Sequence, residues 1–186
     1  MENILIKNTS FSEYEARIKL LVLSFSVQFE NFASKSLVLI LNLDEQAISL
    51  GNNSQALSMN QKIQLMLDSK FFSKKDKQSI ITFMSIRNQF MHNSNAKSLE
   101  SCLSFLTGKD KFIENAYLKK KEENEKAGGE RAANVKKDEE INEKELRSYD
   151  ISEKEKLLFK SWVSLASDVA DSFEKVFIKI SEERKF

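Results

Sequence analysis

Apolar residues recur at steps of three and four over much of the chain, the signature of helices that bury one face. The first such run is the longest. Ile18, Leu21, Val22, Phe25, Phe29, Phe32, Ala33, Ser36, Leu37 and Ile40 trace a single face and predict a helix from about Ser12 to Asn42. Ser12 and Glu15 stand three apart, the spacing at which a capping serine and a glutamate satisfy the free amides of a first turn. A helix of about 30 residues at 1.5 Å per residue is about 45 Å long, enough for the spine of a bundle. Leu37 to Leu41 are apolar on every side, which predicts burial from several directions.

Gly51 to Ser54 is a loop by composition. A helix from Asn60 to Ser69 follows, with Ile63, Met66 and Leu67 on one face. Lys70 to Asp76 breaks the pattern, and Ser73 is placed to cap the next helix. In that helix Ile80, Ile81, Phe83, Met84, Ile86 and Phe90 supply a broad apolar face, and Met91-His92-Asn93 falls at its C-terminal end. Asn93 and Asn95 tolerate the left-handed conformation that ends helices. A further helix is expected over Ala96 to Phe105, stopped near Gly108.

From Lys119 to Arg147 the pattern disappears. About 18 of these 29 residues are charged, divided evenly by sign. Such a stretch buries too little apolar surface to offset its ordering entropy. It reads as a solvated insertion between two bundle helices, or as exposed helices held by i,i+4 charge pairs, with Gly128-Gly129 as the break. Periodicity then returns. Ser152 and Glu155 have capping-box spacing, and Leu157, Leu158, Trp162, Leu165, Ala166, Val169, Phe173, Val176, Phe177 and Ile180 form a wide stripe. This last helix is expected to dock along the first, with Trp162 in the core. The fold class is therefore all-α: an antiparallel helical bundle with long first and last helices, one domain over 1–186, and a charged insertion at 119–147.

Composition sharpens this picture. The chain has no proline and four glycines, so little interrupts long helices. Net charge is +1, and no global field drives the protein onto nucleic acid or anionic lipid. Locally the balance differs. Met59 to Phe112 holds nine basic and four acidic residues, net +5. Cys102 is the single cysteine, which excludes an internal disulfide and suits a reducing compartment. Met1 to Glu15 lacks a secretory pattern, and Leu37 to Leu43 is too short to cross a bilayer. A cytoplasmic protein without a membrane partner is expected. One histidine and one cysteine cannot assemble the usual metal sites, and there is no phosphate-binding glycine loop. No metal or other cofactor is expected.

The candidate chemistry lies at the end of the third predicted helix. His92 follows Arg87 by five residues, which sets the two about 140° apart on an ideal helix. They do not share a face, whereas Asn88 and His92 do. A helix C-terminus favours a protonated imidazole, by up to about 1–2 kcal/mol in good geometry. A group titrating near neutrality suits proton transfer, and a guanidinium suits a phosphate. The plainer reading is a surface histidine and a structural arginine, with Arg87 paired to Glu30 across the bundle.

Phe83-Met84-Ser85-Ile86-Arg87-Asn88-Gln89-Phe90-Met91-His92-Asn93 resembles the signature of HEPN domains, an Arg followed by a polar residue and then a His after a short interval. Ser58 to Leu65 and the break at Lys70 to Asp76 are similar to the HEPN subset related to the mannitol-operon repressor. The chain departs from that subset with Met91 where alanine stands. The resemblance covers about Met59 to Phe105. It implies an all-helical homodimer whose motif helices face each other. It further implies a metal-independent endoribonuclease of a toxin or antiphage-defence system, with RNA as substrate and an antitoxin or defence-system protein as partner. Arg87 would stabilise the scissile phosphate, His92 would be the acid/base and Asn88 would orient the pair. Lys62, Lys70, Lys74 and Lys75 would grip the RNA backbone. Repressor-related members imply the alternative, a non-catalytic interaction or regulatory domain acting through protein partners.

Overall fold

The computed structural model describes residues 13–44, 46–51, 53–127 and 146–183. Among them are six α-helices and no strand: α1 Glu13–Leu41, α2 Met59–Asp68, α3 Lys74–His92, α4 Leu99–Ser104, α5 Lys109–Ala127 and α6 Glu153–Glu183. No described helix is long and apolar enough to cross a membrane. Ser12 and residues 128–145 lie outside the described set, and with them the expected cap of α1 and most of the charged insertion.

Short polar side chains start three of the helices. Ser58 with Gln61, Ser73 with Asp76 and Ser98 with Ser101 form reciprocal capping boxes at α2, α3 and α4. Each serves two amides that the helix itself leaves unpaired. Asp76 also accepts from Ser172 Oγ at 2.8 Å, tying the start of α3 to α6. Burial works against the charged form of Asp76, but the hydrogen bonds from Ser73 and Ser172 outweigh it and hold the carboxyl below its ordinary range. The end of α1 is made by Asn42 in the left-handed region, φ 54°.

An aromatic cluster joins α1, α3 and α6. Phe29 meets Phe83 edge-on at 4.7 Å between centroids and stacks on Phe173 at 5.7 Å. Trp162 is fully buried, edge-on to Phe25 and stacked with Phe83, so it lies in the core as its spacing predicts. These contacts also fix directions. Tyr14 meets Glu155 near the starts of α1 and α6, and Phe29 meets Phe173 further along both. The two long helices are therefore parallel neighbours, a correction to the antiparallel expectation. α3 does run against α6, since Asp76 contacts Ser172 and Phe83 contacts Trp162.

One buried carboxylate governs the end of the bundle where these starts meet. Glu155, 3% exposed, accepts from Tyr14 Oη at 2.6 Å and from the backbone amides of Leu99 and Glu100 at 2.7 Å each. Its backbone N–H takes Ser152 Oγ, but the side chain leaves the expected capping box to serve α1 and α4. Burial, and then the charge of Glu155, push the Tyr14 phenol above its ordinary range. The same causes in the same order push the Cys102 thiol up to about 12.

α5 begins at Lys109, where no helix was expected, and then follows the exposed-helix alternative for the charged stretch. It runs as a helix through the first part of the charged stretch, as far as Ala127, with the i,i+4 pair Lys119–Glu123 on its surface. Ile113 is buried and Lys120 pairs with Asp168 of α6, so a few anchors suffice to dock a polar helix.

Three outcomes follow from these contacts. Glu155→Gln turns amide hydrogens toward donors, and should cost about 2–3 kcal/mol, as should Tyr14→Phe at about 1.5–3 kcal/mol. Urea unfolding followed by circular dichroism measures both, and a change within error of wild type contradicts the role assigned to Glu155. Because the folded Asp76 carboxyl is depressed, its stabilisation is complete above the unfolded value and is lost as pH falls through the folded one. Stability should therefore drop less steeply below about pH 4 in Asp76→Asn than in wild type. Cys102 should resist iodoacetamide at pH 8 in the folded protein and react once urea unfolds it; rapid labelling of the native chain would contradict its burial.

Candidate functional site

Ile86 and Phe90, both buried, anchor the last turns of α3 and orient everything between them. Beneath this stretch lies α4, whose Cys102 Sγ donates weakly to the Ile86 carbonyl at 3.7 Å. The helix end is closed by Asn93. Its backbone N–H reaches Gln89 O at 2.8 Å, its Nδ2 donates to Gln89 Oε1 at 3.0 Å, and its Oδ1 accepts from Asn95 N at 2.9 Å. Asn93 has φ −114°, so α3 ends in extended backbone stabilised by side-chain bonds. The left-handed residue expected there is absent.

The three motif residues are set on this frame differently. His92, in the final turn, is exposed and makes no hydrogen bond or ion pair among the described residues. Asn88 lies one turn earlier on the same face, with Ser85 and the 45%-exposed Ile81 continuing it toward the N-terminus. Arg87 turns toward the bundle and is half-buried. Its Nη1 donates to Asn88 Oδ1 at 3.0 Å, while its Nε is enclosed without an acceptor. No carboxylate pairs with it among the described residues. The expected bland partner, Glu30, is taken by another cation.

That cation is Lys62, and its place corrects an expectation. Lys62 is fully buried, its ammonium 2.9 Å from Glu30 Oε1 and 3.1 Å from the Gly51 carbonyl. It fastens α2 and the preceding loop to α1 and presents nothing to a ligand. Lys70, Lys74 and Lys75 are exposed as expected, but they stand at the opposite end of α3. Eighteen residues separate Lys74 from His92, about 27 Å along the axis. The positive surface therefore does not encircle His92. Lys77, in the same region, donates to the Leu67 carbonyl and closes the end of α2. Lys109 lies against α3 through Thr82 Oγ1 at 3.2 Å.

Several residues that shape the site escape a reading by spacing alone. Lys62 falls in step with Met59, Ile63 and Met66, and Glu155 falls in step with Leu158, Trp162 and Val169. A charge in register with an apolar stripe is the signal that either would be buried. Gln89 and Asn93, four apart, carry the signal of an i,i+4 side-chain bond. Comparison of the chain with models of known families, with curated proteins and with solved structures returns no match.

Proposed function

We propose that the chain is a metal-independent endoribonuclease of the HEPN type, acting as a homodimer in a toxin or antiphage-defence setting. The observation that carries the reading is Arg87. A half-buried guanidinium with no carboxylate among the described residues and one enclosed, unpaired N–H is costly unless an anion completes it. A phosphate offers the oxygens that the remaining donors of a guanidinium fit.

The chemistry assigned to each residue follows its position. Arg87 holds the scissile phosphate and stabilises charge developing on its oxygens. Asn88, bonded to Arg87 and on the face of His92, couples the two. His92 takes the proton of the ribose 2′-hydroxyl as that oxygen attacks phosphorus. The bond from phosphorus to the 5′-oxygen breaks, a proton is returned to the leaving oxygen, and a 2′,3′-cyclic phosphate and a 5′-hydroxyl result. Two proton transfers call for two groups near neutrality, and each chain has one histidine. Two copies meeting at the α3 face supply both histidines to one cleft.

A second reading is favoured by the charge layout. With Lys62 buried and Lys74 about 27 Å from His92 along α3, the lysines expected to grip RNA do not gather at the motif. That suits a HEPN-type interaction or regulatory domain in which the α3 face binds protein. Incubation of the purified protein with structured and unstructured RNAs in EDTA separates the two. Cleavage leaving cyclic phosphate ends, and reduced at least about 100-fold in both Arg87→Ala and His92→Ala, is expected for the ribonuclease. Full activity in His92→Ala, or none in wild type across diverse RNAs, rejects it.

A further inference from the structure

A cavity of about 380 Å³ lies between α5, the first turns of α6 and the residues just before them. Its lining carries four cations, Lys121, Arg147, Lys156 and Lys160, and one carboxylate, Glu153. The lining is therefore net +3, while the whole chain is +1. Helical spacing brings these groups together. Lys156 and Lys160 stand four apart on α6, and Tyr117 and Lys121 four apart on α5, so each pair shares a face of its helix. The two faces meet over the cavity. Lys121, Lys156 and Lys160 are half-buried, with their stems against the wall and their charges at its surface. Buried Leu146 and half-buried Leu157 add an apolar part to that wall.

Like charges gathered in a concave, half-buried setting repel, and water screens them less than on an open surface. Glu153 answers Lys156 at 2.6 Å. Lys121, Arg147 and Lys160 have polar or electrostatic contacts of their own, so a bound anion has to do better than those contacts. A single charge does not. A group with several negative charges on adjacent oxygens does, because it engages several of the cations at once.

We infer that this cavity binds a compact polyphosphate group, free or as the tail of a nucleotide. The charge of such a group matches the excess on the lining, and the volume lies within the range of small-molecule sites, about 300–1,000 Å³. Half-buried Tyr117 in the wall offers a ring against which a base can lie. A nucleic-acid strand spreads one charge per phosphate along an extended track, which cations gathered around one concavity suit less well. The cavity is on a different side of α6 from the core. At 100° per residue Glu153, Lys156 and Lys160 fall within about 60° of one another, and the inward row Glu155, Leu158 and Trp162 centres about 160° away. The inference is therefore independent of the ribonuclease reading, which rests on α3.

Isothermal titration calorimetry of the full chain in EDTA tests it, with pyrophosphate, ATP, inorganic phosphate and adenosine as probes. Pyrophosphate and ATP should bind with a Kd of about 10–100 µM, inorganic phosphate at least about tenfold more weakly, and adenosine not at all. Lys156→Gln/Lys160→Gln should weaken both polyphosphates at least about tenfold with unchanged helicity. Lys97→Gln/Lys175→Gln removes the same charge from exposed positions elsewhere and should stay within about threefold of wild type. If the first variant loses helicity, Arg147→Gln, at an exposed position, carries the same expectation. Equal affinity for pyrophosphate and ATP assigns the site to the polyphosphate group alone. ATP tighter by at least about fivefold, an advantage lost in Tyr117→Ala, assigns it to a nucleotide. Three results overturn the assignment: no binding of either polyphosphate up to about 1 mM, equal weakening in both double variants, or tighter binding of a short single-stranded DNA than of pyrophosphate.

Discussion

A single buried carboxylate holds together the end of the bundle where the motif lies. Glu155 takes three donors from two different elements, one phenol and two helix-start amides. An ionised group so deeply placed is tolerated only when its oxygens are fully served and the local dipoles favour negative charge. Both conditions hold, because the two amides belong to the first turn of α4, the positive end of a helix. The dependence is mutual. Six residues of helix do not persist alone, and α4 exists because Glu155 satisfies its start while Leu99, Cys102 and Leu103 are buried. Through Cys102 beneath Ile86, that arrangement supports the turn of α3 from which Arg87 and Asn88 project.

The same constraint explains the direction of the long helices. Tyr14 sits at the second position of α1 and Glu155 at the third of α6, so their bond brings two helix starts together. Parallel neighbours leave both chain directions aligned, and α3 then returns between them with its aromatic face inward. Phe29, Phe83, Phe173 and Trp162 fill the volume where the three meet. Packing at this centre is insensitive to helix polarity, which is why an apolar stripe alone does not reveal it. Polarity is decided at the ends, by polar atoms that must be satisfied.

The distinction accounts for what the sequence disclosed. Period and caps are local, and they located α1, α2 and α3 to within a residue or two, the start of α6, Ser73 as a cap and Trp162 as core. Partners are not local. Glu155 has the spacing of a capping glutamate, and nothing nearby in sequence says that Leu99 and Tyr14 will claim it. Lys62 stands in register with an apolar stripe, which signals burial, but nothing near it in sequence names Glu30 as its partner. The first half of α5 was missed because its charged residues hid the anchor Ile113, while its second half is the exposed helix that the charge spacing allowed. Asn93 departed from expectation because side-chain bonds to Gln89 replaced the left-handed turn that asparagine suggests. The motif residues themselves were visible at once, yet their spacing said only that Arg87 and His92 diverge.

That divergence is the organising fact of the site. Arg87 is turned to where the helix is buried and His92 to where it is not, and no rotamer change removes about 140° of helical rotation. The separation is not complete, however. The far end of the Arg87 side chain returns toward the outer face, because its Nη1 donates to Asn88 Oδ1 at 3.0 Å. Asn88 in turn lies one turn from His92 on the same face of α3. A backbone that sends the two side chains apart therefore leaves them linked by way of one amide, and Asn88 is the motif residue bonded to the inward group and aligned with the outward one.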